Sequence, residues 1–272
     1  MSRSGGDVLF RILQTNDMHC GHVLGLTPPQ YQSDENREWL GALWQFYNDT
    51  LCQIGTVHVH VFDGDALDGH QEKDPSALLK PMINVQTDMA EESIRLVRAR
   101  KRYIIRGTGY HTDRQCSYEQ YVADALNCDC LDDLRLEVSG CRLHFRHVIG
   151  RSDTPYGQGT PAYKEIINEM LAADLEDYDA ADVLGRAHTH YATGVWSANG
   201  KTGRLKQAYT GAGLQLRGPT QSKFTRGLRT WMYHVGMTLI EIEPSGEAVV
   251  RPIIFPIQLY APKEYICLKE ST

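Results

Sequence analysis

The sequence predicts an α/β fold in which helices flank two β-sheets. Short runs of β-branched and aromatic residues alternate with longer stretches that carry apolar residues at helical spacing. The strand-like runs outnumber those of a simple doubly wound sheet, which fits a two-sheet sandwich. A chain of 272 residues with 42% hydrophobic and 23% charged residues is long enough for one large domain of this kind. We therefore expect residues 1–272 to form a single domain.

The overall composition argues against several classes of protein. A formal net charge of −6 disfavours a generally basic nucleic-acid binder, although it leaves room for a local basic patch. No N-terminal apolar run resembles a signal peptide, and no stretch approaches the length of a membrane span. The seven cysteines follow no disulfide framework, which predicts a reducing cytoplasm. A zinc site at Cys116, Cys128, Cys130 and Cys141 is the less favoured alternative to reduced thiols, because Cys-x-Cys spacing is unlike common zinc knuckles.

The first half of the chain is predicted to alternate strands and helices, which makes β-α-β units with parallel strands. Its elements are a strand at 8–13, a helix at 36–51, a strand at 57–62, a mostly helical stretch at 75–100, a strand at 103–106 and a helix at 117–126. The cations at 95–102 are predicted to lie at a helix C-terminus, where the helix dipole favours them.

The second half is predicted to be richer in strands. Its elements are short strands at 135–138 and 142–148, a helix at 162–175, a strand at 183–184, β-like segments at 206–210 and 211–216, and a hairpin of 237–242 with 248–255. Two loops, 24–35 and 149–161, are long enough to form the rim of a site.

Five of the predicted strands end in a segment that carries aspartate or histidine. These segments contain Asp17-x-His19, Gly64-Asp65-x-x-Asp68, Gly107 to His111, His147, and Gly185-x-x-His188-x-His190. Open α/β sheets place their ligands beyond the carboxyl ends of strands. Each motif alone is equally consistent with a solvated turn or a hydrogen-bonded structural histidine. Their combination favours a shared site.

In this order the motifs resemble those of the calcineurin-like metallophosphoesterase family, over about residues 9–216. The resemblance implies an αββα sandwich with two divalent metal ions. It also implies roles for individual residues: Asp17, His19 and His190 as ligands of the first metal, Asp65 as the bridge, His147 and His188 as ligands of the second metal, His111 as a catalytic non-ligand and Asp68 as a supporting acid.

The resemblance further implies an enzyme that cleaves a phosphoester with a metal-activated hydroxide. Mixed oxygen and nitrogen ligands suit Mn, Fe or Zn. A phosphodiester, a nucleotide or nucleic acid is favoured over a phosphoprotein, because four loop cations could face a polyanion: Arg217, Lys223, Arg226 and Arg229. A solvated loop is the alternative for those cations. Arg186 is the candidate for a substrate contact, and a neighbouring carboxylate is the alternative partner.

The third motif departs from the family pattern. The asparagine that precedes the family histidine is absent from Gly107-Thr108-Gly109-Tyr110-His111, and two residues are inserted. Thr108, a backbone carbonyl or water would then take the place of the asparagine as a ligand of the second metal, which would bind more weakly. Asp113 becomes the candidate to orient His111. The resemblance associates such atypical motifs with phage- or prophage-type members. The departure also favours the alternative function of a catalytically weakened or inactive scaffold subunit. The measured metal content distinguishes these functions. About two metals per chain support the two-metal enzyme, one supports a mononuclear hydrolase, and none supports the scaffold.

Overall fold

The computed structural model describes residues 10–70, 75–111, 117–152, 154–198, 203–216 and 233–256. Its elements, in chain order, are β1 (Phe10–Thr15), α1 (Arg37–Ile54), β2 (Val57–Asp63), α2 (Ile83–Arg95), β3 (Ala99–Ile105), α3 (Tyr118–Leu126), β4 (Asp129–Leu131), β5 (Leu134–Val138), β6 (Cys141–Phe145), α4 (Gly159–Glu176), β7 (Val183–Arg186), β8 (Thr193–Ala198), β9 (Leu205–Thr210), β10 (Gly236–Ile242) and β11 (Ala248–Ile254).

The strands form two mixed sheets. The first has six strands in the order β11-β10-β1-β2-β3-β4, with β1 to β4 parallel, β10 antiparallel to β1 and β11 antiparallel to β10. The second has five strands in the order β5-β6-β7-β9-β8, with β6, β7 and β9 parallel and antiparallel strands at both edges. Each sheet therefore has a parallel centre whose carboxyl ends can carry functional loops.

Apolar packing arranges these sheets as the two inner layers of a sandwich. Both sheets contribute to one buried cluster between them, which includes Ile12, Val61, Ile105, Leu143, Phe145 and Val183. On the outer face of the first sheet, helices α1 to α3 pack through residues such as Leu43, Met89 and Val122. On the outer face of the second, α4 packs Ile166 against Leu184 and Ala208. The predicted two-sheet sandwich flanked by helices is confirmed.

Several predicted elements need correction. Within the helical stretch predicted at 75–100, the α-helix α2 covers only Ile83–Arg95. Residues 99–102 belong to strand β3 rather than to a helix, because they pair in parallel with β2. Arg102 still reaches the end of α2, where its guanidinium donates to the carbonyls of Ile94 and Val97. Residues 211–216 form no strand beyond one isolated bridge. The short edge strands β4 and β8 were not predicted, since three to six residues carry too little alternation to stand out.

The remaining predicted elements are found within one to three residues of their predicted ends, apart from the strand predicted at 8–13, whose first two residues lie outside the described part. None of the helices in the described ranges is long and apolar enough to cross a membrane. The described cysteines Cys20, Cys52, Cys128, Cys130 and Cys141 are free thiols, and none belongs to a group of potential metal ligands in the described residues. Cys116, the fourth member of the zinc alternative, lies outside those residues.

Candidate metal centre

Loops from both sheets converge beyond the carboxyl ends of their parallel strands. The first sheet supplies Asp17 and His19 after β1 and Asp65 after β2, and the second sheet supplies His147 after β6 and the His188–His190 pair after β7. Backbone bonds tie the first two loops together, with the amide of Asp17 donating to Gly64 at 3.0 Å and that of His19 to Asp65 at 3.1 Å. The predicted motifs are thus brought into one place.

The backbone at these loops is held in an uncommon conformation. Eight non-glycine residues in the described part have a positive φ, and five of them belong to the predicted metal site: Asp17, His19, Asp65, His188 and His190. Asn127 and Asp177 have an ordinary reason for it, since both cap the C-terminus of a helix. Left-handed backbone at non-glycine residues costs free energy and concentrates at functional sites. The site ligands are therefore aimed by strained turns.

Close approach of the loops requires two glycines. Gly64 has φ +79°, and a Cβ there would lie 2.2 Å from Nδ1 of His147. At Gly213 a Cβ would lie 2.7 Å from Nδ1 of His190 and 3.1 Å from the Cβ of Asp17. Any side chain at either position would displace a site residue.

Three triads of side chains bring their ligand atoms within 4.8 Å of one another. Asp17, His19 and His190 form the first triad, and Asp65, His147 and His188 form the second. A third joins His19 and Asp65 to His111. Because Asp65 and His19 each occur in two triads, the groups form one continuous cluster with Asp65 between its two halves.

The Nδ1 atoms of three imidazoles are occupied away from the centre of the cluster. Nδ1 of His19 lies 3.2 Å from Oδ1 of Asp68, Nδ1 of His147 lies 2.5 Å from the carbonyl oxygen of Asp63, and Nδ1 of His190 lies 2.7 Å from the hydroxyl of Tyr233. That hydroxyl donates its own proton to the carbonyl of Gln215, at 2.8 Å, so it accepts from His190. When the rings are neutral, as metal ligands must be, these contacts place the proton of each ring on Nδ1 and leave Nε2 to face the centre of the cluster.

These three Nε2 atoms face a carboxylate oxygen. Oδ1 of Asp17 lies 3.4 Å from Nε2 of His190, 3.8 Å from that of His147 and 3.9 Å from that of His19. Nε2 of His19 and of His190 are themselves 3.2 Å apart. Within the described residues, buried Oδ1 of Asp17 and buried Nε2 of His147 have no hydrogen-bond partner. Lone pairs in such proximity repel one another unless a cation lies between them, so the residues fit a metal ion.

The electrostatics of the cluster also favour positive charge. Burial alone would raise the pKa of Asp17 and Asp65, but His190 and His147 lower the pKa of Asp17, and His147 and His111 hold the pKa of Asp65 well below its usual value. Burial opposes charge on His147, yet Asp65 and Asp17 raise its pKa well above the usual value. Buried carboxylates thus stabilise a cation at this point.

His111 and Asp68 lie beside the cluster. Nδ1 of His111 lies 2.9 Å from the carbonyl oxygen of Asp68 and 3.6 Å from its carboxylate, while the side chain is 15% exposed. The ring of His111 meets that of His19 edge to face, with centroids 4.5 Å apart. Asp68 therefore orients both imidazoles, in keeping with the supporting role that the resemblance implies. Asp113, the candidate to orient His111, lies outside the described residues.

The predicted contact of Arg186 with substrate requires correction. Its guanidinium is buried, with the residue 1% exposed, and contacts Oε2 of Glu165 at 2.8 and 2.9 Å. It also donates to the carbonyls of His144 and Gly185. The neighbouring-carboxylate alternative is the one that the geometry supports, because the guanidinium is buried and four of its five N–H groups already have acceptors within the protein.

Sequence reasoning missed Tyr233, the residue whose hydroxyl fixes the His190 ring. It lies 43 positions from His190 and belongs to no motif, so no spacing in the sequence could have pointed to it. Asn16 was missed as well, although it directly precedes Asp17 and donates to Oδ2 of that residue at 2.6 Å. The four loop cations, Arg217, Lys223, Arg226 and Arg229, lie outside the described residues.

Fold and site together define a two-sheet α/β protein with a buried cluster of aspartates and histidines that could hold metal ions. A scan against models of known protein families finds no match, and neither does a search of curated proteins. Among solved structures, the chain is similar to Vps29 from Entamoeba histolytica complexed with Zn²⁺. That match has 13% identity and a TM-score of 0.41, and it covers 90% of this chain and 99% of that one.

Two further solved structures are similar at comparable levels. An archaeal phosphodiesterase has 11% identity, with 89% of this chain and 99% of that chain covered, and a TM-score of 0.41. A metallophosphoesterase from Sphaerobacter thermophilus has 11% identity, with 90% and 88% covered, and a TM-score of 0.39. Such scores describe a partial superposition, so the function proposed below rests on the side chains of this chain.

Proposed function

We propose that the protein is a phosphohydrolase that depends on two divalent transition-metal ions. The observation that carries the proposal is the convergence of Asp17, His19, Asp65, His147, His188 and His190 on one buried centre, with unpartnered ligand atoms facing each other. Asp17, His19 and His190 would hold one metal, His147 and His188 the other, and Asp65 would bridge them. Mn, Fe and Zn suit this mixture of oxygen and nitrogen ligands.

Two such metals, when bound, would neutralise phosphate charge and make water a better nucleophile. The chain's own contribution is orientation. Turns with positive φ hold both aspartates and three of the histidines, His19, His188 and His190, and backbone or side-chain acceptors fix the rings of His19, His147 and His190. His111 lies at the more exposed edge of the cluster, where its imidazole would stabilise charge on the phosphate or deliver a proton to the leaving oxygen.

We propose a phosphodiester, a nucleotide or nucleic acid as the substrate class, in preference to a phosphoprotein. The support is the group of cations at 217–229 in the sequence, which follows the site loops along the chain. The phage-type origin suggested by the atypical third motif agrees with that class and stays a prediction. So do a cytoplasmic location and the organisation of residues 1–272 as one domain.

Hydrolysis of bis-p-nitrophenyl phosphate and p-nitrophenyl phosphate with Mn²⁺ tests the proposal. Asp65→Asn should lose bound metal and activity together, because it weakens the bridge between the two halves of the cluster. His111→Ala should keep both metals and lose turnover by about 10²- to 10⁴-fold. The diester should be hydrolysed faster than the monoester.

Asp129→Asn is the matched control for Asp65→Asn, because Asp129 lies at the start of β4, where its exposed side chain pairs with Lys101. It should behave as wild type. Wild-type rates for both site variants would contradict the mechanism. A wild-type protein that binds no metal after incubation with Mn²⁺, Fe²⁺ or Zn²⁺ would favour the alternative of a scaffold subunit, and one metal per chain would favour a mononuclear hydrolase.

A further inference from the structure

We propose that the outer face of helix α4 is an interface between two copies of this chain, which pack their α4 helices against each other in antiparallel orientation. Four apolar side chains at intervals of four residues define this face, which we call the α4 row: Tyr163, Ile167, Leu171 and Leu175. The proposal is independent of the proposed function, because it involves none of the side chains proposed as metal ligands.

The α4 row is exposed although its side chains are large and apolar. Tyr163 is 46% exposed, Ile167 39%, Leu171 58% and Leu175 84%. Residues four apart lie on one face of a helix, so these side chains form one continuous row along about three turns. A surface helix ordinarily directs polar side chains to solvent and apolar ones to the core. The α4 row is an exception to that arrangement.

The opposite face of α4 is apolar as well. Ala162 and Ile166 are buried in the cluster that joins the helix to the second sheet. Glu169 also lies on the inner side, 7% exposed, where it accepts from Arg135 of β5. A helix that is apolar on both faces is typical of one that is covered on both faces. The α4 row therefore has the character of a contact surface.

The other helices differ from α4 in this respect. Among the side chains that the structure describes, α1 exposes one large apolar residue, Trp39 at 38%, and α3 exposes Tyr121 at 46%. In the same part of the chain, α2 exposes none between Ile83 and Arg95. The apolar exposure is thus specific to α4.

A second copy of the chain fits the α4 row because the row is complementary to itself. Exposed Lys164 lies near its N-terminal end, and exposed Asp174 lies near its C-terminal end. The midpoint of the row is at Glu169, and both charges lie five residues from it. An antiparallel pair about a two-fold axis at this midpoint therefore brings Lys164 of each copy level with Asp174 of the other. A parallel pair would bring like charges together.

The size of the α4 row predicts a weak dimer. From Tyr163 to Leu175 the row is about 18 Å long, at 1.5 Å per residue. One helix face of this length provides less than the roughly 800 Å² per partner of a standard interface. We therefore expect a dissociation constant in the micromolar range.

Residues 257–272, which lie outside the described part, are the alternative occupant. They follow Phe255, whose ring lies 5.0 Å from that of Phe46 of α1, on the outer face of the first sheet. Helix α4 covers the outer face of the second sheet. The segment thus starts on the opposite side of the sandwich, which favours the second copy.

Sedimentation velocity of the full-length protein at about 1 to 200 µM tests the proposal. Wild type should pass from monomer to dimer within this range. Leu171→Glu should raise the dissociation constant by at least about tenfold, since it places two carboxylates in the middle of the apolar contact. Leu96→Glu is the matched control, because Leu96 is 38% exposed at the end of α2 on the other side of the sandwich. It should dimerise as wild type does.

A charge exchange tests the antiparallel orientation. Lys164→Asp should weaken the dimer by about three- to tenfold, because each new carboxylate comes level with Asp174 of the other copy. Lys164→Asp combined with Asp174→Lys should restore wild-type association. A merely apolar attraction would not respond in this way. Failure of the double substitution to restore a weakened dimer would contradict the antiparallel pairing.

A wild-type protein that stays monomeric up to about 200 µM would overturn the proposal. So would a dimer that Leu171→Glu leaves unchanged. A monomeric wild type whose thermal stability falls in Leu171→Glu would show instead that another part of the chain covers the row. If Leu171→Glu fails to fold, Leu175→Glu replaces it, because that side chain is 84% exposed.

Discussion

At the scale of single residues, the geometry of the candidate site depends on the group that accepts a hydrogen bond from Nδ1 of each imidazole. A histidine that donates through Nδ1 presents its Nε2 lone pair in a fixed direction. His19, His147 and His190 each do so through a different acceptor: a carboxylate, a backbone carbonyl and a tyrosine hydroxyl. The ligands are thereby oriented before any metal binds.

Tyr233→Phe should weaken binding of the metal proposed for Asp17, His19 and His190 by about 10- to 100-fold. The substitution removes the hydroxyl that accepts from Nδ1 of His190, so that the proton can shift to Nε2, the proposed ligand atom. Titration with Mn²⁺ measures the effect, and Tyr163→Phe on the exposed side of α4 is the control. An unchanged affinity would show that Tyr233 does not fix this ring.

The motifs in the sequence pointed to the residues that the structure brings together, but they could not predict the groups that support them. Asp17, His19 and Asp65 follow recognisable strand ends, and loop ends carry His147, His188 and His190. Tyr233 and the Asp63 carbonyl act through contacts formed only when distant segments meet. A backbone carbonyl, moreover, is present at every residue and leaves no signal in a sequence.

At the scale of elements, strand β7 illustrates how a charged residue can be structural. Arg186 lies at the end of β7, two positions before His188, which made a role in substrate binding plausible from the sequence. The fold instead buries its guanidinium against Glu165 of α4. Proximity in sequence to a ligand therefore did not determine which side of the sheet the side chain occupies.

Arg186→Met should lower the free energy of unfolding by about 1.5–3 kcal/mol, because it removes the buried guanidinium that donates to Glu165 and to two carbonyls. Arg146 contacts the same oxygen of Glu165 from a more exposed position. Arg146→Met should therefore cost no more than about 1 kcal/mol. Urea denaturation measures both. Full stability of Arg186→Met, combined with a raised KM for the diester, would restore the substrate role.

Helix α4 is joined to strand β5 by a second buried carboxylate. Glu169 is 7% exposed, accepts from both terminal nitrogens of Arg135 at 2.8 and 3.2 Å, and also accepts from the amide of Ala181. Although burial alone would raise the pKa of Glu169, its contacts with His144, Arg135 and that amide hold the pKa below the usual value. The charged form is therefore the one that stabilises the fold.

Glu169→Gln should lower the free energy of unfolding at pH 7 by about 1.5–3 kcal/mol. Because the folded-state pKa is lowered, the stabilisation is complete above the ordinary pKa of 4.5 and is lost as the pH falls below it. In urea denaturation the difference between wild type and variant should therefore be constant above about pH 5 and should shrink progressively as the pH falls below 4.5. Glu176→Gln, at an exposed position of the same helix, should match wild type. A difference that is constant with pH would contradict the assignment.

Whether a helix or strand could be predicted from the sequence depended on how complete its pattern of apolar residues is. Helices α1, α3 and α4 and the β10–β11 hairpin carry a full amphipathic or alternating pattern, and their predicted bounds were close to those observed. Residues 100–102 are cationic and were assigned to the end of the preceding helix, because cations are common at helix ends. Their pairing with β2 is a tertiary contact that overrides this local preference.

At the scale of the whole molecule, the candidate metal site lies where the loops of the two sheets meet. Asp17, His19 and Asp65 follow strands of the first sheet, and His147, His188 and His190 follow strands of the second. The apolar layer between the sheets holds the two sets of loops in register. The resemblance in the motifs predicted this architecture, whereas composition alone would have allowed many α/β arrangements.

The most direct test of the account is a crystal structure of the protein grown with Mn²⁺, with anomalous scattering data collected to locate the metal. We expect two anomalous peaks on either side of the Asp65 carboxylate. One should be bound by Asp17, His19 and His190, and the other by His147 and His188. Absence of anomalous density among these side chains, or density only at a different place, would contradict the metal centre on which the proposed function depends.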